Sequence, residues 1–393
     1  MDRRRFLELA MLGAGGVATA RSASAAQDGA AERRVIVSKV RFVGSRVVMA
    51  LTIGGQGPFD FLLDTGGHLS LIATPLAQQL KLVNTGQTRA MGIGGTAVLP
   101  VFLAQDVVFG GGARQTSVAF AGMAGGFGRD AMGTLAAGFL TAIDSDLDME
   151  AGEWRAYPDG RPPLTGYSRI KDAIVASGTG PAAGSRRLFG DAVIDGRKAR
   201  FLLDTGMPGG VRLDHGFAKR IGLWDDARPW APERSSGIGG NAAVGRLVRA
   251  DALELAGNRI ERPLVALSAA GDGETPGMDG AIGLAVLRHF ILATDARSRD
   301  LWLKPHAAAA PVPERYNLSG LWLDQRGGGW RVAQVGFGSP AAAAGIAIGD
   351  GVATTDDRPV LRAMAGRPGS VVALKVTRGD ATRDVMLTLR EYL

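Results

Sequence analysis

The sequence predicts a mainly β protein built from two similar lobes and a third, smaller domain. The first observation is a repeated hexapeptide, because FLLDTG occurs at residues 61–66 and again at 201–206. The second is that runs rich in β-branched and aromatic residues alternate with glycine-containing turns, and 58 of the 393 residues are Gly. The third is an Ala/Pro stretch at 306–314, which is typical of a linker between domains.

The N-terminus has the composition of an export signal. Residues 1–25 place a cluster of arginines before about a dozen apolar residues, and then small residues that end near Ala25. The apolar run is shorter than the roughly 20 residues that span a bilayer, so we expect no stable membrane span after this signal is removed. RRRFLE resembles the twin-arginine export motif, which implies a protein exported in folded form to the bacterial periplasm or otherwise out of the cytoplasm.

Composition excludes several classes of function. The chain has no cysteine, which removes disulfides, thiol catalysis and zinc–thiolate sites. Its four histidines show no metal-ligand spacing, and we predict no metal and no cofactor. The formal net charge of +7 comes from Lys and Arg scattered along the chain without clustered aromatic residues, so nucleic acid is not an expected partner.

The repeat extends well beyond the hexapeptide. GIGG occurs at 92–95 and at 237–240, and GTLAAGFL at 133–140 matches GAIGLAVL at 280–287. From the first residue of each block, the offsets between copies are 140 (61 to 201), 145 (92 to 237) and 147 (133 to 280) residues. Such a gradual drift is what small loop insertions in one copy would produce, so the two copies predict two lobes.

These blocks set the predicted domain boundaries. We expect lobe one at 35–157, lobe two at 186–306 and a third domain at 315–393. The segment 158–185, rich in Pro, Gly and Ser, connects the lobes either as a plain linker or as a loop over the cleft. Within each lobe the pattern predicts hairpins and one short amphipathic helix.

Two Asp-Thr-Gly loops in matching contexts predict a shared acid–base site. One such tripeptide is an ordinary turn signal, but a two-lobed protein can bring both loops together at its pseudo-twofold axis. Asp64 and Asp204 would then share one proton, because two carboxylates about 3 Å apart do not both ionise easily. Such a pair can take a proton from water and give one to a peptide carbonyl, which is hydrolysis without a covalent intermediate.

The residues after each Asp suit the same site. Thr65 and Thr205 each supply a short hydroxyl that can cross-link the two loops. Gly66 and Gly206 let the backbone turn tightly and approach its partner.

Together these motifs resemble the aspartic proteases of the retroviral (retropepsin-like) type. The resemblance covers residues 35–306 and implies the aspartic protease fold, with Asp64 and Asp204 as the catalytic pair. It also implies that the two GIGG stretches are the tips of flaps that close over a bound peptide. The predicted flap residues are Gly92, Ile93, Gly94, Gly95, Gly237, Ile238, Gly239 and Gly240. One departure is Ala136, which stands where the second copy has Gly283.

The third domain resembles a PDZ domain. GSPAAAAGIAIGD at 338–350 looks like the central PDZ signature, in which a small-residue helix leads into a Gly-Asp turn. The resemblance implies that the carboxylate-binding loop and strand are formed by Gly320, Leu321, Trp322 and Leu323. PDZ domains bind peptide termini or extended segments by strand addition. The alternative is an all-β packing domain without a ligand.

The leading interpretation is an exported aspartic endopeptidase that acts on polypeptide substrates, with a C-terminal domain that recruits or positions them. Because each lobe contributes one Asp, the fused chain predicts a catalytically complete monomer. Two alternatives stay open. One is an exported peptide-binding protein that uses the same cleft and PDZ domain without cutting, and the other is a self-processing or scaffold protein of the cell envelope.

Overall fold

The computed structural model describes residues 33–92, 95–128, 130–176, 184–237, 240–272, 277–307, 315–354 and 359–393. In these ranges the chain is mainly β and has two lobes and a C-terminal domain, which confirms the predicted fold class. The predicted signal at 1–25 lies outside them. None of the helices in the described ranges is both long and apolar enough to cross a membrane.

In the described residues, lobe one contains ten strands and two short helices: β1 Ile36–Val43, β2 Arg46–Ile53, β3 Gln56–Asp64, β4 Leu71–Ala73, α1 Thr74–Gln79, β5 Val83–Gly92, β6 Gly95–Phe109, β7 Ala113–Met123, β8 Gly133–Ala136, α2 Gly138–Thr141, β9 Ser145–Asp148 and β10 Glu153–Ala156. The segment between the lobes adds β11 Ser168–Ile170 and β12 Ile174–Val175.

Lobe two repeats the pattern, with eleven strands and two helices in the part that the structure describes: β13 Arg187–Ile194, β14 Arg197–Asp204, β15 Val211–Leu213, α3 His215–Arg220, β16 Ala231–Gly237, β17 Gly240–Arg249, β18 Ala252–Leu255, β19 Asn258–Glu261, β20 Leu264–Leu267, β21 Gly280–Gly283, α4 Leu284–Leu287, β22 Phe290–Asp295 and β23 Asp300–Pro305. The C-terminal domain has β24 Leu321–Arg326, β25 Gly329–Val335, α5 Pro340–Ala343, β26 Gly351–Thr354, α6 Val360–Met364, β27 Val371–Arg378 and β28 Ala381–Thr388.

One sheet joins the two lobes. Its strand order is β11-β23-β22-β9-β10-β1-β2-β3-β8-β4-β7-β6-β5, so strands from the end of lobe two continue directly into lobe one. β22 pairs with β9, and β11 of the connecting segment pairs with β23. The connecting segment therefore contributes a strand to the shared sheet. Buried apolar residues from both lobes form one continuous core.

β3 and β14 position the two Asp-Thr-Gly loops. Each strand is anchored by fully buried side chains, which are Phe61, Leu63, Phe201 and Leu203. Each also pairs in parallel with a strand from the third repeat block, so Asp64 lies beside Ala136 and Asp204 beside Gly283. Because both faces of these strands are covered, the position at which each loop begins is fixed by the core.

Lobe one accommodates an alanine, Ala136, at the position where lobe two has Gly283. In lobe two a side chain at Gly283 would lie 2.3 Å from the carbonyl oxygen of Gly209, so glycine is required there. In lobe one the chain runs differently, and the Ala136 N–H donates to Ser70 Oγ at 3.0 Å. Ala136 is buried and keeps its parallel pairing, so the methyl group does not loosen the loop.

The C-terminal domain has its own core and rests on lobe two. Its five strands in the described residues pair in chain order, with β24 and β28 at the two edges, around a separate apolar cluster. β24 and β25 lie against β16, one arm of the GIGG hairpin of lobe two. The Arg234 guanidinium stacks 4.7 Å from the centre of the Trp322 ring, and Gln334 Nε2 donates to the Val244 carbonyl at 3.3 Å. The domain therefore supports this hairpin directly.

Candidate active site

The two Asp-Thr-Gly loops meet, and the threonines bind each loop to the other lobe. Thr65 Oγ1 donates to the Leu203 carbonyl at 2.7 Å and accepts from the Thr205 N–H at 2.9 Å. Thr205 makes the mirror-image pair, donating to the Leu63 carbonyl at 2.7 Å and accepting from the Thr65 N–H at 3.1 Å. Both side chains are almost fully buried, at 0% and 1% exposure. Four hydrogen bonds thus cross between the lobes beneath the site.

The glycines are required by the close approach of the opposite carboxylate. A Cβ atom on Gly66 would lie 2.4 Å from Asp204 Cγ, and one on Gly206 would lie 2.6 Å from Asp64 Oδ1. Any side chain at either position would therefore displace the carboxylate across the axis. A residue with a Cβ cannot substitute here without moving the pair.

Backbone amides hold both carboxylates. Asp64 Oδ1 accepts from the Gly67 N–H at 2.7 Å. Asp204 Oδ1 accepts from the N–H groups of Gly206 at 2.8 Å and Met207 at 3.1 Å. The carboxyl groups also hydrogen-bond to each other, and each residue remains partly open to solvent. The pair is therefore oriented before any ligand binds.

The two carboxyl groups differ in protonation. Burial, followed by the negative charge of Asp204, raises the pKa of Asp64 to about 7. Burial also raises the pKa of Asp204, but the two amides and the charge of Arg212 oppose that rise. The hydrogen bond between the carboxyl groups favours the protonated form of Asp64 and the charged form of Asp204. When the pair holds one proton, these influences favour the proton on Asp64 and the negative charge on Asp204.

Two arginines that the sequence analysis did not single out stand beside this pair. Arg46 begins β2 and Arg187 begins β13, at equivalent places in the two lobes. The Arg46 guanidinium donates to the Gly206 carbonyl of the other lobe. A signal was present in the sequence, since each Arg starts the strand that forms a hairpin with an FLLD strand. Identifying these arginines from the sequence requires knowing which residues lie opposite each other in that hairpin.

The first and last residues of each GIGG stretch lie at the ends of two paired strands. Gly92 pairs with Gly95 at the end of β5 and β6, and Gly237 pairs with Gly240 at the end of β16 and β17. The other four predicted flap residues, Ile93, Gly94, Ile238 and Gly239, lie outside the described residues. Within the described residues each lobe has one such hairpin, and the C-terminal domain contacts the hairpin of lobe two.

The predicted carboxylate-binding loop of the C-terminal domain is already hydrogen-bonded internally. The Gly320 N–H donates to Asn317 Oδ1 at 3.1 Å, and the Leu321 N–H donates to Ser319 Oγ at 3.1 Å. The side chains of Leu321 and Leu323 are buried in the domain core, whereas Trp322 faces lobe two. A peptide carboxylate would have to displace these bonds to be held by the same amides.

The chain is similar to known proteins in sequence and in structure. The sequence model of the aspartyl protease family matches residues 49–139 and 191–286, one segment in each lobe and each with one Asp-Thr-Gly. The chain has an aspartic protease fold. Among solved structures, the aspartic proteinase from Irpex lacteus is similar at 12% identity and a TM-score of 0.45, covering 70% of this chain and 98% of that one. Basic 7S globulin from soybean is similar at 9% identity and a TM-score of 0.42, covering 70% and 95%.

No curated protein sequence matches the chain significantly. Over the part of the chain that the structure describes, no group of three or more His, Asp or Glu side chains is arranged to hold a metal ion.

Replacing Thr65 tests the link between the lobes. We expect Thr65→Val to lower the free energy of unfolding by about 3 kcal/mol, because the Leu203 carbonyl and the Thr205 N–H both lose a buried partner. Thr65→Ser is the matched control; it keeps the hydroxyl and loses only a methyl group, at about 1 kcal/mol. Denaturant unfolding measures both. Equal losses in the two variants would contradict the role of the hydroxyl.

Proposed function

We propose that the protein is an aspartic endopeptidase of the retroviral type, with both halves of the catalytic pair in one chain. The observation that carries this proposal is the pair itself: two carboxyl groups, one from each lobe, that the crossed threonine bonds bring together and whose pKa values are both raised by burial. The presence of one hairpin in each lobe favours the retroviral over the pepsin type. A complete pair within one chain supports activity as a monomer.

The difference between the two Asp residues assigns their roles. A water between the carboxyl groups gives a proton to the charged Asp204 and attacks the peptide carbonyl carbon, while Asp64 donates its proton to the carbonyl oxygen. The carbon–nitrogen bond then breaks. The proton on Asp204 passes to the leaving amine, and a hydroxyl of the intermediate returns a proton to Asp64 as the carboxyl product forms. The pair ends as it began, with one proton on Asp64.

The hairpins supply the cover that such a site needs. A cluster of buried apolar residues packs the lobe-one hairpin against β4, the strand that follows Asp64; its members are Leu71, Ala90, Leu99, Ala121 and Phe127. The base of the hairpin is thereby fixed to the catalytic lobe. Closure of such turns over a peptide would exclude water from the reacting bond.

The C-terminal domain would act by positioning the lobe-two hairpin. Its element order suits a PDZ-like domain, but the amides of the predicted carboxylate loop are occupied by Asn317 and Ser319. Its contacts to Trp230, Arg234 and Val244 all lie on or beside the hairpin of lobe two. These contacts support a positioning role more directly than capture of a peptide terminus. Export of the folded chain is part of the proposal and rests on residues 1–25 alone.

The central test is peptide cleavage by the purified chain and by two single variants. We expect the parent to cut peptides and both Asp64→Asn and Asp204→Asn to lose at least about a thousand-fold in kcat/KM, because each variant removes the acid or the base. Asp191→Asn is the matched control, since Asp191 lies on β13 with a largely exposed side chain that pairs with Lys198 and Arg200.

The pH dependence follows from the raised pKa of Asp64. Above about 7 the shared proton is lost and no acid remains, so kcat/KM falls as pH rises through that value. Cleavage that is strongest well above pH 7, or that survives either Asp→Asn change, would contradict the mechanism. Peptide binding without cleavage at any pH would instead support the non-catalytic alternative.

The contact between Trp322 and Arg234 tests the role of the C-terminal domain. We expect Trp322→Ala to lower kcat/KM about five-fold on short peptides, because a stacking contact worth about 1 kcal/mol no longer supports the hairpin. Arg234→Gln should have the same effect, and the double variant should be no worse than either. Met386→Ala is the control, since that exposed side chain lies on β28 at the other edge of the sheet. Unchanged cleavage in Trp322→Ala would exclude the positioning role.

A further inference from the structure

The two lobes carry different residues at one equivalent position beside the catalytic pair. In each lobe the strand after the Asp-Thr-Gly loop, β4 or β15, pairs with the strand of the third repeat block, which pairs in turn with the strand that ends in Asp. Leu71 of β4 lies in the row of paired residues that ends two residues before Asp64. Arg212 of β15 lies in the row that ends two residues before Asp204. Arg212 is therefore the lobe-two equivalent of Leu71.

The side chain of Arg212 lies on the face of the sheet that carries the catalytic carboxylate. Its neighbours Val211 and Leu213 are buried in the core, at 2% and 0% exposure, and side chains alternate between the two faces of a strand. Leu203 is buried in the same core, so Asp204 also points away from it. The charge of Arg212 opposes the rise in the pKa of Asp204. The guanidinium is thus within electrostatic reach of the site.

The matching position in lobe one is apolar. Leu71 is buried in the cluster that packs the lobe-one hairpin against β4. Its neighbour across the sheet is Ala121 of β7, and the corresponding neighbour of Arg212 is Ala266 of β20. The small residue beside this position is therefore kept, whereas a leucine is exchanged for an arginine. One wall of the cleft is apolar, and the other presents a cation.

Arg212 lacks a partner among the described residues. Its Nε is buried without a hydrogen bond, and no described side chain forms an ion pair or hydrogen bond with its guanidinium. No nitrogen of Arg212 lies within 4.0 Å of a carboxylate oxygen of Asp204. Glu233 of the lobe-two hairpin does not compensate the charge, because β17 and β20 separate β16 from β15 and burial raises the pKa of Glu233.

A carboxylate is the ligand that this side chain suits best. A guanidinium has five N–H donors in a planar fork, which matches the two oxygens of a carboxylate. A buried N–H without an acceptor is costly, and an anionic acceptor gives stronger hydrogen bonds than a neutral one. An apolar side chain of a ligand would instead cover the guanidinium and leave its donors unpaired.

We propose that the cleft selects peptides that place an acidic residue, Asp or Glu, against Arg212 and an apolar residue against Leu71. This inference rests on the proposed function and names its substrate class. The two positions are related across the axis at which the Asp-Thr-Gly loops meet. A peptide whose scissile bond lies at that axis presents residues from opposite sides of the bond to the two lobes. The acidic and the apolar residue therefore lie on opposite sides of the cut.

A library of octapeptides in which one position at a time is fixed as Glu or Gln tests this selectivity. At one position near the cut, the ratio of kcat/KM for Glu to that for Gln should be about ten or more in the parent, because hydrogen bonds to charged groups are worth this much. Arg212→Gln should bring that ratio close to one. Arg212→Lys should keep part of it, because Lys retains the charge without the planar fork. Arg212→Leu, which copies lobe one, should make Leu preferred over Glu there.

An exposed arginine of the same lobe provides the matched control. Arg259 lies on β19 and pairs with Glu254 and Glu261. Arg259→Gln makes the same change in net charge and should leave the Glu-to-Gln ratio unchanged. A fall in the ratio equal to that in Arg212→Gln would overturn the assignment, because net charge alone would explain the preference. An equal slowing of Glu and Gln peptides by Arg212→Gln, with the ratio preserved, would also overturn it, because Arg212 would then act through Asp204 alone.

Binding of the same octapeptides to Asp64→Asn separates this inference from the proposed function. Glu at the selected position should tighten binding about tenfold over Gln, and the double variant with Arg212→Gln should lose this preference. That result supports the inference even if the parent cuts nothing, in which case only the endopeptidase proposal fails. Absence of a Glu preference at every position, in cleavage and in binding, overturns the inference while leaving any observed cleavage intact.

Discussion

The reciprocal hydrogen bonds of Thr65 and Thr205 are the constraint on which the rest of the site depends. Each hydroxyl donates to a carbonyl of the opposite lobe and accepts an amide N–H from it, with both side chains buried. The loops can satisfy these groups only when the lobes are in register. The same register brings each glycine against the opposite carboxylate, so neither lobe holds a complete site by itself.

The two lobes follow a similar chain path, but the two catalytic Asp residues have different surroundings. The proposed mechanism depends on this difference. Asp204 accepts hydrogen bonds from two backbone amides, and these bonds and the charge of Arg212 oppose the rise of its pKa. The pKa of Asp64 is raised by burial and by the negative charge of Asp204. The hairpins differ as well, since among the described residues the lobe-two hairpin lies against β24 and β25 of the C-terminal domain. A fused chain can hold such asymmetry permanently, which two identical subunits cannot do without breaking their symmetry.

Much of the site could be predicted from the sequence because its key residues lie in a contiguous, repeated motif. The roles of Asp, Thr and Gly in FLLDTG depend only on their position in the motif and on a second copy of the motif. The structure brings the two copies together. Arg46 and Arg187 were missed because their place depends on strand pairing, which sets which residue lies opposite which. The bonds of Asn317 and Ser319 to the Gly320–Leu323 segment also depend on the folded turn. The sheet that joins the two lobes could not be predicted for the same reason. In this sheet β11 pairs with a strand more than a hundred residues away, so that Ser168 lies opposite Leu303.

The most direct test of the account is a carboxyl 13C NMR titration of Asp64 in the parent chain and in Asp204→Asn. The account predicts that Asp64 titrates near 7 in the parent, and that its pKa falls toward the ordinary range once the neighbouring charge is removed. Asp64 titrating near 4 in both proteins would mean that the two carboxyl groups do not share a proton, and the proposed mechanism would fail with it.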